Sequence, residues 1–115
     1  MKLLMHILRE NKELKIDNSK ISDLSILRKL EEEYREVVKA VFEYHKEKDL
    51  MQLKEVIRET FDLIQVCILI LWRYHRRAKL LGEDNLIQEI NIEHKDKLSN
   101  RGWIIETGIE IDVKE

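Results

Sequence analysis

The sequence contains no proline, only three glycines and a single cysteine in 115 residues. With so few residues that set tight turns or interrupt helices, a loop-rich or many-stranded fold is disfavoured and long helices are expected. The one cysteine, Cys67, cannot form an internal disulfide, and its apolar neighbours supply no base to activate a thiol, which fits a reducing cytoplasm. An excess of one charge is also missing. With 21 basic and 23 acidic residues the formal net charge is −2, so no global field draws the chain to nucleic acid or to an anionic membrane. Nor is there a long hydrophobic run: residues 61–72 are interrupted by Asp62 and Gln65 and fall short of the ~20 residues of a membrane span. The opening MKLLMHILRENK returns to charge too early for a secretory leader.

What is present is charge and helix-forming side chains. Charged residues make up 38% of the chain, interleaved with Leu and Ile, and the length suits one domain with a modest core. The expected architecture is all-α, an antiparallel helical bundle formed by a single domain over residues 1–115. Ser22 is placed to cap a first helix running through His45, and Asp49 followed by Gln52 starts a second that runs to about Lys79. Gly82 marks the next break. Asn85 with Gln88 repeats the capping signature for a third helix ending near Arg101, with Gly102 as its terminating glycine. The first dozen residues suit a short helix or strand, followed by a polar connector, KIDNSK. The tail GIEIDVK alternates apolar and polar with period two, the pattern of a short strand or an extended arm that needs a partner in the N-terminal segment or in another subunit.

The segment LEEEYREVV, residues 30–38, raises the question of function. At 100° per residue, Ile26, Leu30, Val37, Ala40 and Tyr44 form one apolar stripe, and Glu33 falls near its middle. Glu36 borders the stripe, while Glu31 and Glu32 point progressively away. A solvated run of acids would stay opposite the apolar face, so Glu33 requires compensation. The second helix repeats the anomaly, with Glu59 and Asp62 three residues apart at the start of a segment apolar on nearly every side. If the helices fold back on each other around residues 46–49, Glu36 comes level with Asp62, and Glu33 and Glu59 lie about one turn to either side. Four carboxylates across one interface either pair with basic residues or hold a hard cation, Mg²⁺ or Mn²⁺, that accepts oxygen ligands and keeps positions open for phosphate. A di-iron bundle would need Glu-x-x-His, and no glutamate in this chain has that spacing to a histidine.

Downstream, His94, Lys97, Leu98 and Arg101 recur at i, i+3, i+4 and i+7, on one helical face, followed by Gly102 and Trp103. Cations on a helix near a carboxylate–metal site would suit a polyphosphate. Trp103 could stack on a base, although packing is the commoner role. The ordered set Glu32, Glu33 and Glu36, then Glu59 and Asp62, then HxxKLxxRGW resembles the MazG-like, all-α nucleoside triphosphate pyrophosphohydrolases over residues 30–103.

That resemblance implies Mg²⁺-dependent hydrolysis of an NTP or dNTP to the monophosphate and pyrophosphate, by a homodimer or homotetramer. It implies Glu33, Glu36, Glu59 and Asp62 as metal ligands and Glu32 as a supporting carboxylate that orients or deprotonates water. Lys97 and Arg101 would contact phosphates, with His94 and Trp103 beside the substrate. One departure stands out: many members have a second acid just before the Glu of ExxD, where this chain has Arg58. A rival reading is a non-catalytic helical module that binds nucleotide or another protein through the apolar second helix. The basic stretch WRYHRRAK, residues 72–79, reads as an ordinary helix C-terminus complementing the dipole rather than as a nucleic-acid site.

Overall fold

A computed structural model describes residues 1–114, which group into two compact units, one from Met1 to Arg77 and a second from Ala78 onward. The fold is mostly helical, with three α-helices and one small two-stranded sheet among the described residues. None of the helices is long and apolar enough to cross a membrane.

The first unit is built on a helical hairpin. Helix α1 spans Asp23–Glu47, and the Ser22 hydroxyl accepts a hydrogen bond from the Ser25 amide at 3.1 Å, as the sequence predicts. It ends at Lys48, whose left-handed backbone (φ 52°) turns its amide back to the Tyr44 carbonyl at 2.7 Å. Helix α2, Leu50–Leu80, starts immediately afterwards, with the Asp49 carboxylate accepting from the Gln52 amide at 2.8 Å. So short a connection forces α2 to return antiparallel to α1, and Asp23 at the start of α1 accordingly meets Arg73 and Arg77 late in α2.

The apolar stripe of α1 faces inward as its spacing requires. Ile26 and Ala40 are buried, Leu30, Val37 and Tyr44 are half-buried, and Val66 and Leu69 of α2 complete the core of this unit. Among the described residues no large side chain is fully enclosed.

Before α1 the chain forms a small antiparallel hairpin, β1 (Glu10–Asn11) paired with β2 (Ile16–Asp17). The second strand lies inside KIDNSK, so this segment is more than a connector. Asn11 accepts from the Leu14 amide at 3.0 Å, and Lys15 takes a left-handed conformation (φ 55°); together they make a tight turn without glycine. Asn18 then donates its side-chain amide to the Leu8 carbonyl at 2.9 Å, and Gln65 of α2 donates to the His6 carbonyl at 2.6 Å. These two side chains tie the N-terminal segment to itself and to the hairpin.

In the second unit, Gly82 (φ 84°) ends α2. The Gly82 amide reaches the Lys79 carbonyl and the Glu83 amide that of Ala78, at 3.0 and 2.9 Å. Helix α3, Leu86–Asn100, stops in the same way: Gly102 (φ 84°) donates to Ser99 and Trp103 to Leu98, both at 3.1 Å. The start of α3 differs from expectation, because Asn85 makes no side-chain capping bond. Beyond Trp103 the described residues form no strand and are exposed, so GIEIDVK finds no strand partner among them.

Candidate metal centre

The hairpin brings three of the predicted carboxylates together. Single oxygens of Glu33, Glu59 and Asp62 all lie within 4.8 Å of one another, Glu33 from α1 and the other two from successive turns of α2. Glu33 and Glu59 are half-buried and Asp62 is exposed, so the cluster opens to solvent on one side. Glu36 is exposed and outside this group, although its charge acts on Glu59, and Glu32 is also exposed. Glu33 thus closes the group with Glu59 and Asp62, while Glu36 lies near enough to Glu59 for its charge to act there. Glu36 sits on the border of the α1 stripe and is turned toward solvent.

Burial and mutual repulsion act in the same direction here. Desolvation, then the charges of Asp62, Glu32 and Glu59, raise the Glu33 carboxyl above its ordinary pKa, with Lys29 a partial counterweight. Desolvation, then Asp62, Glu36 and Glu55, raise Glu59, with Lys39 opposing. The bland alternative, simple pairing with basic side chains, is not what the hairpin builds. Arg58 pairs with Glu55 and Arg35 with Glu31, both at 2.6 Å. Among the described residues no lysine or arginine closes an ion pair with Glu33, Glu59 or Asp62.

The donor set fits a hard divalent cation. Octahedral Mg²⁺ holds its oxygens at 2.0–2.1 Å, hence about 3–4 Å from one another, and small side-chain rotations would close a 4.8 Å spread to that spacing. Three carboxylates leave further positions for water or phosphate, whereas the absence of histidine and cysteine from the group disfavours zinc. No family model matches the chain. Neither the curated proteins nor the solved structures searched contain a match.

In the second unit His94 and Lys97 lie exposed on α3, Arg101 caps its end, and Trp103 is exposed just beyond Gly102. The α3 face read from the sequence is thus formed, and Trp103 is not closing a core. A second cluster was not foreseen. Asp23 receives the Arg73 Nε at 3.0 Å, Arg77 at 3.2 Å and the Tyr74 hydroxyl at 3.3 Å, and the Arg77 guanidinium lies 5.0 Å from the centre of the Tyr74 ring. Hydrogen bonding from Arg77 is the main reason the Asp23 carboxyl is held below its ordinary pKa. Counting equal distances from the turn at Lys48 pairs residue 23 with residue 73, so the signal was available. Much of the basic character of WRYHRRAK is used in holding the hairpin closed.

Proposed function

We propose that this chain is a Mg²⁺-dependent nucleoside triphosphate pyrophosphohydrolase, converting an NTP or dNTP to the monophosphate and pyrophosphate. The observation that carries this reading is the convergence of Glu33, Glu59 and Asp62 from two helices without basic partners. The ordered resemblance of EExxE, ExxD and HxxKLxxRGW to the MazG-like enzymes supplies the reaction class. Glu33, Glu59 and Asp62 would hold Mg²⁺ or Mn²⁺, with Glu36 as a further ligand one turn along α1. Such an ion neutralises phosphate oxygens and lowers the pKa of a bound water.

The chain's own groups do the rest. Glu32 accepts the proton of the attacking water, which adds to the α-phosphorus in line with the departing β-phosphate oxygen; the α–β anhydride bond breaks and pyrophosphate leaves. Lys97 and Arg101 bind the β- and γ-phosphates and stabilise the charge that builds on the leaving group, with His94 and Trp103 beside the substrate. The reading includes a cytoplasmic enzyme of nucleotide metabolism that works as a homodimer or homotetramer.

The test is a panel of NTPs and dNTPs incubated with the protein in Mg²⁺ or in EDTA, with mono- and diphosphates, pyrophosphate and orthophosphate resolved. Metal-dependent monophosphate and pyrophosphate are expected. A folded sample that releases no product with Mg²⁺ or Mn²⁺ would instead favour a non-catalytic interaction module, a reading that draws on the exposed apolar side chains of α2.

A further inference from the structure

The carboxylate centre has a cationic border on the side toward the hairpin turn. Residues three or four apart share a helix face, so Lys39 follows the exposed Glu36 along α1 and Arg58 precedes the exposed Asp62 along α2. The helices run antiparallel, and counting from the Asp23–Arg73 pairing sets Lys39 and Arg58 at nearly the same level, about one turn beyond Glu36 and Glu59. Both cations are exposed, on the edge where the centre opens to solvent. Lys39 lies near enough for its charge to oppose those of Asp62, Glu36 and Glu55 at Glu59.

This border bears on how many ions the centre takes. A two-metal site sets its cations about 3.5–4 Å apart and needs a second group of acids beside the first. Glu36 and Glu55 are the further acids whose charges act on Glu59. They do not complete such a group, because Glu55 gives its carboxylate to Arg58 at 2.6 Å and Glu36 has Lys39 as its neighbour one turn along. Among the described residues, the oxygens that converge are those of Glu33, Glu59 and Asp62.

We propose that the centre holds a single divalent cation, and that Lys39 and Arg58 supply the positive charge a second ion would bring, by contacting the pyrophosphate portion of the substrate. Exposed ion pairs within one helix are weak, so the Arg58 guanidinium readily exchanges Glu55 for a phosphate, two of whose oxygens it can hold at once. Lys39 adds a compact point charge at the same level of the other helix. The pyrophosphate portion carries most of the negative charge of a nucleoside triphosphate, which makes it the part that two further cations suit. The inference rests on the metal-dependent reading of the centre and adds to it a metal count and two substrate-binding residues.

Calorimetric titration of the full chain with Mn²⁺, and then with inorganic pyrophosphate in the same Mn²⁺ buffer, tests both parts without turnover. One Mn²⁺ per chain is expected. Lys39→Gln and Arg58→Gln should each weaken pyrophosphate binding by about 10-fold or more, the effect of losing a charge-assisted contact, while Mn²⁺ binding persists. Lys39→Arg should restore most of the affinity. Arg35→Gln removes a cation two residues from Glu33, hence on the far side of α1, and should leave pyrophosphate affinity unchanged. Two Mn²⁺ per chain in the wild type would overturn the inference, as would an unchanged pyrophosphate affinity in Lys39→Gln or Arg58→Gln. A folded chain that binds no Mn²⁺ at all would overturn the metal-dependent reading itself, and the inference with it.

Discussion

At the residue scale, the opposite pKa displacements of two groups of acids make the hairpin sensitive to pH in two ways. Glu33 and Glu59 have raised pKa values, so the folded chain binds their protons more tightly than the unfolded chain does. Their contribution favours folding below the unfolded carboxylate pKa and is lost as pH rises through the folded values. Asp23 is depressed, so its contribution is present above the unfolded pKa and is lost as pH falls through the folded one. In EDTA, Glu33→Gln and Glu59→Gln should therefore raise the melting temperature at pH 7 and have little effect near pH 4. Asp23→Asn should lower it at pH 7, by leaving the buried Arg73 without its carboxylate partner, and the deficit should shrink in acid. Thermal melts across that pH range check both signs.

Divalent metal should reverse the first effect. At about ten times its Kd, a cation bound only by the folded state adds ~1.4 kcal/mol, or roughly 6–11 °C for a unit of this size. That gain should vanish in Glu33→Gln and Asp62→Asn. The anomaly at Glu33 was legible from helical spacing alone, because a carboxylate in the apolar stripe is visible without coordinates. Its partners were less so. Setting their levels required the register across the hairpin: the Asp23–Arg73 pairing puts Glu33 level with Asp62 and Glu36 level with Glu59.

At the element scale, the helix boundaries follow from local chemistry, and the caps differ in how much they contribute. Asp49 accepts a backbone bond and Asn85 does not, although both carry the same signature in sequence. Asp49→Ala should cost about 1 kcal/mol in denaturant titration, and Asn85→Ala much less. Gly102→Ala should cost about 1 kcal/mol by strain at positive φ, since a Cβ there meets no atom within 4 Å. Deeper in the first unit, Ile26→Ala removes one of its few buried anchors and should cost ~2–5 kcal/mol. The small sheet was harder to read. Its turn uses Asn11 and a left-handed Lys15 where glycine would have signalled a hairpin, and strands of two residues are too short for alternation to register.

At the scale of the whole molecule, a thin core goes with a 31-residue helix that leaves Leu50, Ile57, Ile64 and Leu71 exposed. The sequence already showed α2 to be apolar nearly all round. Which side faces α1 could not be assigned until the positions of Val66, Leu69 and Arg73 showed where the hairpin closes. The acidic cluster occupies that inner side.

The central claim is that Glu33, Glu59 and Asp62 serve metal-dependent cleavage of a nucleoside triphosphate. The most direct test is ³¹P NMR of an NTP and dNTP mixture with Mg²⁺, comparing the wild type with Asp62→Asn. The account predicts monophosphate and pyrophosphate from the wild type. It predicts a rate lower by about 100-fold or more for Asp62→Asn, a loss of at least ~2.7 kcal/mol of transition-state stabilisation, with helical content unchanged. Orthophosphate in place of pyrophosphate, or an undiminished rate in the variant, would contradict it.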